Sequence, residues 1–180
     1  MAVLAEAVSV VFRSDRLEAI WPGGVAAFIA QRPNESACED GLVVRVGFMG
    51  PRGTAAFIAH CESFGLVHHG PDEHACDFVI VDQSLGLCRP CDWLQFGRVE
   101  LEGNEVPVVR MVGDDRHLLM CPPGWRFDGS LSQQHVYTPE GSTVSSLRFL
   151  REENGVRYYL NTLTNRVVYS TEPIPDEPTG

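Results

Sequence analysis

At 180 residues, with 44% hydrophobic and 21% charged side chains, the chain has the composition of one soluble core of ordinary size, and neither wholesale disorder nor a fibrous repeat fits it. Its formal net charge is −10, and all 14 basic residues are arginine; that field repels phosphate backbones and anionic headgroups, so nucleic acid and membrane are not expected as partners. No apolar run approaches the roughly 20 residues that span a bilayer, and the first residues carry Glu6 with no basic residue ahead of it, so a cytoplasmic location is expected.

Taken in order, residues 8–13 and 16–21 read as two short strands around a Ser14-Asp15 hairpin turn, and Pro22-Gly23-Gly24 breaks the run. Residues 25–31 have helical character and end before Pro33-Asn34. The stretch 42–82 then reads as a β-α-β-β unit: an apolar β-branched run to Phe48, a Gly/Pro turn, a helix over 54–64, and strand-like runs at 65–69 and 75–82. Ala55, Phe57, Ile58, Cys61 and Phe64 have roughly helical spacing and would cover a sheet. The segment from Pro22 to Ala30 is echoed from Pro51 to Ala59, at the Pro, at Gly24 and Gly53, and at all five residues of the closing Ala-Ala-Phe-Ile-Ala. Each copy would open a helix with Pro in its first turn, which leads us to expect duplicated strand-turn-helix units in the first half.

After Asp82 the pattern changes. Residues 93–101 and 106–112 read as strands around the turn 102–105, and 113–134 as an irregular excursion in which Pro122-Pro123-Gly124-Trp125 is turn chemistry. Residues 145–151, 156–161 and 166–171 read as a meander with Asn154-Gly155 at its first turn. The segment 172–180 is acidic and Pro-rich; if ordered, it would need something to hold it, and a second copy of the chain is the simplest candidate, hence an expected homo-oligomer. The expected fold is α+β in a single domain, 1–180: a mixed or antiparallel sheet carrying two or more helices, a duplicated α/β half at 1–83, a β-rich half at 84–171 ending in an antiparallel meander, and the tail at 172–180.

Six cysteines stand at positions 38, 61, 76, 88, 91 and 121, and chain length together with the unsuited N-terminus favours reduced thiols, most of them small buried hydrophobes. Cys88-Arg89-Pro90-Cys91 is the sharpest local motif, because a C-x-x-C spacing lets two thiolates hold one metal or close a short disulfide, and Arg89 would favour the thiolate form. Over these four residues it resembles the active-site motif of thioredoxin-like oxidoreductases, where the motif opens a long helix; here residues 92–98 run toward a strand. His74 and Cys76 would complete a four-ligand zinc set, but their close spacing favours a packed thiol beside a surface imidazole, and no cofactor is expected.

Gly47, Gly50 and Gly53 with Arg52 lie between a strand and a helix N-terminus, a place suited to an anion, although they fit neither a Walker loop nor a dinucleotide fingerprint. Asp77 and Asp82 bracket an apolar strand; if the strands of Val43 and Phe78 run parallel, Arg52 and Asp82 meet beyond their carboxyl ends, where His68 or His69 joins them. Arg52, His68 and Asp82 are therefore the candidate ligand-binding set, and Cys88 with Cys91 the candidate metal or redox pair. The order of strand, helix, Gly65-Leu66 and further strands also resembles the modules of vicinal-oxygen-chelate proteins, which implies metal ligands of His and Glu on sheet strands; no matching set can be placed here.

With no catalytic signature, composition favours a non-catalytic binding protein of acidic surface, inhibitor- or immunity-like, that masks a basic protein partner. The competing expectation is a small enzyme or small-molecule binder with a pocket near Arg52, His68, Asp82 and the Cys88/Cys91 loop.

Overall fold

The run Val8–Arg13, apolar at four of its six positions, is buried along nearly its whole length because it lies in the middle of a sheet that is covered on both faces. The computed structural model describes residues 1–49, 51–134, 147–153, 156–162 and 166–170. In it the run is β2, preceded by β1 (Ala2–Leu4) and the crossover Ala5-Glu6-Ala7. β2 pairs antiparallel with β4 (Val43–Phe48) on one side and with β5 (Phe78–Asp82) on the other. With β3 (Cys38–Glu39) and β6 (Gly86–Leu87) at its edges, the sheet has the order β3-β4-β2-β5-β6.

One face of this sheet sends Val10, Phe12, Val44, Val46 and Phe78 against Leu17, Phe28 and Phe57, which belong to α1 (Ser14–Ile20), α2 (Gly24–Ala30) and α3 (Pro51–Ser63). The other face sends Val11, Val43, Val79 and Val81 against Val3, Leu94 and Val109 of a second sheet. That sheet has the order β7-β8-β1-β9, with β7 (Leu94–Leu101), β8 (Asn104–Met111) and β9 (Leu119–Met120). Its outer face packs Leu4, Val106 and Val108 under Cys121, Trp125 and Phe127, and the short helix α4 (Leu131–Gln134) follows. Finally β10 (Leu147–Glu153), β11 (Val156–Asn161) and β12 (Arg166–Ser170) form a separate antiparallel sheet, whose Tyr158 and Tyr169 pack with Met49.

The α+β class, the helices at the two Ala-Ala-Phe-Ile-Ala copies, the β7–β8 hairpin and the closing meander agree with the sequence reading. Residues 14–20 do not: they form α1 where a Ser14-Asp15 turn and a strand over 16–21 were expected. Both edges of β2 are already taken by β4 and β5, so a strand there would have no partner. A helix instead lets Leu17 drop into the core and Arg16 reach Asp77 at 2.6 Å, with Asp15 in the favourable first turn. The first Ala-Ala-Phe-Ile-Ala copy is thus preceded by a helix, not by a strand.

Residues 66–69 also stay outside the sheet. They run as a loop beside residues 75–77, through the His69–Ala75 bridge and the bonds Cys76 N to His68 O at 3.0 Å and Asp77 N to Val67 O at 2.9 Å. Among the described residues the strands form three sheets, where a sheet followed by a meander was expected. Gly50, the Asn154-Gly155 turn and the tail at 172–180 lie outside the described residues. Among the described residues no helix is long and apolar enough to cross a membrane.

Candidate functional site

The layer between the two large sheets is apolar except at one end, where Arg45 and Ser9 project into it. Arg45 stands on β4 between Val44 and Val46, opposite Val11, and is only 3% exposed. Its Nε donates to Ser9 Oγ at 2.8 Å, Nη1 to the Ser36 carbonyl at 2.9 Å and Nη2 to the Glu6 carbonyl at 2.7 Å. All three acceptors are neutral, and burial pulls the guanidinium below its ordinary pKa.

The backbone around this cation is fitted to it. Gly47 is two residues on along β4, and a Cβ there would stand 2.7 Å from the guanidinium carbon. The bare Gly47 amide donates to Ser36 Oγ at 2.7 Å, and its carbonyl accepts from Asn34 Nδ2 at 2.8 Å, so the 34–36 loop docks where a side chain would have stood. The crossover is pinned as well: Ala7 N donates to Gln83 Oε1 at 2.7 Å and Gln83 N to the Ala7 carbonyl at 2.9 Å. This fixes Glu6, whose Oε2 accepts from Trp125 Nε1 at 3.0 Å and whose Oε1 accepts from Ser132 N at 2.9 Å and from the Ser132 hydroxyl.

A cavity of about 960 Å³ opens beside this cluster. Phe48, Met49, Pro122, Trp125 and Leu131 give it apolar walls, and Arg52 and Gly53 contribute from the first turn of α3. Glu6, Ser36 and Arg45 line its buried end, and the exposed Glu152 of β10 stands at its margin. Size and lining both match what small organic ligands occupy, since such sites run to about 300–1,000 Å³.

Of the candidate ligand-binding and metal or redox residues expected from sequence, only Arg52 lines this cavity, together with Gly47 and Gly53 of the turn read as suited to an anion. β4 and β5 do run in the same direction, on either side of β2, with Phe48 and Asp82 both in register with Val8. Yet the Asp82 carboxylate is taken up by its own turn, accepting from Ser84 N at 2.8 Å and Leu85 N at 3.0 Å. His68 lies by the other end of β5, its ring stacked on Phe78 with centroids 4.8 Å apart and planes 4° from parallel. The structure therefore does not bring Arg52, His68 and Asp82 together. His68 Nε2 is buried with no hydrogen-bond partner among the described residues, and desolvation with Arg89 nearby pulls the imidazole down to about 4.

Below the ordinary imidazole value near 6.5, the unfolded chain binds a proton that folded His68 refuses, so its contribution is whole above that pH and is lost as pH falls from there toward about 4. Urea unfolding at pH 7 and pH 5 should show a smaller pH penalty for His68→Phe than for the natural chain. Equal penalties would mean that His68 titrates normally in the fold.

Cys88 and Cys91 carry free thiols, as do the other four cysteines. Although Cys88 as a residue is exposed, its sulfur is desolvated, and with the Asp82 carboxylate nearby its pKa rises above the ordinary value; burial does the same for Cys91. Arg89, expected to favour the thiolate, pairs with Glu73. His74 pairs with Asp92 at 3.1 Å, and among the described residues no three His, Cys, Asp or Glu side chains gather as a metal-ligating group.

Sequence reasoning passed over Arg45, Glu6 and Trp125. The signal for Arg45 was a charge set inside the β-branched run Val43-Val44-Arg45-Val46, where a buried cation must find acceptors. Comparison with family models, curated proteins and solved structures gives no match, so the site stands on its own geometry.

Proposed function

We propose that this protein binds an amphipathic small molecule in the cavity between β4, α3 and the 122–125 loop. One observation carries this: a cavity of about 960 Å³ with apolar walls and polar groups converging at its Arg45 end. Six unpaired cysteines support a reducing, cytoplasmic setting. The corresponding Phe28 and Phe57 of the sequence echo meet in one core with centroids 6.1 Å apart, which supports a duplicated origin for the two helices.

A second reading, an acidic interaction protein that masks a basic partner or a further copy of itself, is supported by ion pairing. Arg13, Arg16, Arg32, Arg89 and Arg116 each hold a carboxylate, so much of the basic charge is already answered within the chain and the acidic surplus remains. The cavity is preferred because it also specifies a shape.

The test is fluorescence titration with the neutral dye N-phenyl-1-naphthylamine. Saturable binding of one equivalent with quenching of Trp125 is expected, the quenching to vanish in Trp125→Phe. Gly53→Leu fills the cavity from α3 while raising helix propensity, since a Cβ at Gly53 meets only Phe48, at 3.4 Å. Affinity in that variant should fall by about fivefold or more. Binding that is non-saturable, or indifferent to Gly53→Leu, would reject the proposal.

A further inference from the structure

The geometry points to an organic anion as the occupant of this cavity, its carboxylate or similar oxyanion directed to Arg45 and Arg52 and its apolar body laid against Phe48 and Trp125. This rests on the cavity being a ligand site and adds the class of ligand.

Four charged side chains line the cavity: Glu6, Arg45, Arg52 and Glu152. Both carboxylates are already served. Glu6 accepts from Trp125 Nε1 and twice from Ser132, and Glu152 accepts from Arg157 Nε at 3.2 Å. The arginines differ: Arg45 is held by three neutral acceptors and lies within the field of the Glu6 carboxylate, whereas Arg52 has no carboxylate partner among the described residues. The four formal charges balance, but with Glu152 held by Arg157 and Glu6 acting on Arg45 the charge left unanswered among the described residues is that of Arg52, and it is positive, although the chain as a whole carries −10.

Arg45 adds donors at the buried end. A buried cation bonded to neutral acceptors is costly, and an anion arriving beside it would offset part of that cost. The Gly47 backbone and the 34–36 loop are shaped to hold this guanidinium at the cavity, which is the mark of a built site. Arg52, exposed and in the first turn of α3, would meet the anion from the solvent side and remain partly screened. The apolar walls require that the rest of the ligand be hydrophobic; a bare inorganic anion would leave Phe48 and Trp125 unused.

The experiment compares two dyes that differ by one sulfonate, 1-anilinonaphthalene-8-sulfonate and N-phenyl-1-naphthylamine, titrated into the full chain. The sulfonate should bind about tenfold tighter, as expected for one charge-assisted contact. Arg52→Gln should erase most of that preference, lowering the sulfonate's affinity far more than the neutral dye's. Arg13→Gln, at the far end of β2, serves as the control and should leave the preference intact. Equal affinity for the two dyes, or a preference that survives Arg52→Gln or falls equally in the control, overturns the inference while the cavity stands. If neither dye binds, the cavity proposal falls with it.

Discussion

Phe12→Ala should lower the free energy of unfolding by about 3–5 kcal/mol, the cost of emptying a fully enclosed aromatic site. Phe12 has no exposed surface and sits on β2 where α1, α2 and α3 converge. Its ring meets Phe28 at 4.9 Å, Phe78 at 5.1 Å and Phe57 at 5.8 Å between centroids. Phe57 in turn touches Phe48, a wall of the cavity, at 5.1 Å. The void therefore opens beneath the binding site, and dye affinity should weaken together with stability. Urea unfolding followed by circular dichroism measures the first effect. Phe149→Ala on β10, where the ring is 45% exposed, should change it by no more than about 0.5 kcal/mol. A Phe12→Ala loss below about 1 kcal/mol would mean that the helices close over the gap.

Much of this core was readable in the sequence, because burial on two faces leaves an unmistakable run. Val8–Arg13 and Val43–Phe48 are rich in Val and Phe with few polar interruptions, and the Pro-led Ala-Ala-Phe-Ile-Ala copies announce helices. Residues 14–20 were misread because Leu17, Ile20 and Trp21 suit the i, i+3, i+4 face of a short helix as well as they suit a strand. What decided between them was the occupancy of both edges of β2, a fact about residues 43–48 and 78–82 that no local window holds. The site was less legible for the same reason. Arg52 could be placed because it follows a strand-to-helix turn, whereas Glu6, Arg45 and Trp125 meet only after β1 joins a sheet with β8 and the 122–125 loop folds over it. His68 and Asp82 were grouped on the expectation that parallel strands at Val43 and Phe78 would bring Arg52 and Asp82 together with a histidine beside them; the two strands do run the same way, but the chain carries His68 to their opposite end, where it stacks on Phe78.

Gly47→Ala is expected to destabilise the protein by about 1–3 kcal/mol, against the usual sign for a strand. Replacing an interior strand glycine with alanine ordinarily gains about 0.5–1 kcal/mol, because glycine has the larger conformational entropy to lose. Here the new methyl would lie 2.7 Å from the Arg45 guanidinium carbon. That group is the tip of a flexible side chain, but it is enclosed and tied to Ser9, Ser36 and Glu6, so it can give way only by stretching or leaving bonds worth about 1.5–3 kcal/mol apiece when one partner is charged. The cause can be isolated with a double-mutant cycle. In an Arg45→Met background the guanidinium is gone, an apolar chain of similar length replaces it, and Gly47→Ala should become neutral or stabilising. Independent, additive costs for the two substitutions would show that Gly47 is needed for some other reason than making room for Arg45. The same single variant should also lose preference for the sulfonated dye, since a displaced Arg45 no longer faces the cavity. Stability and anion preference would then change together through one atom-sized intrusion, tying the glycine in β4 to the chemistry of the site.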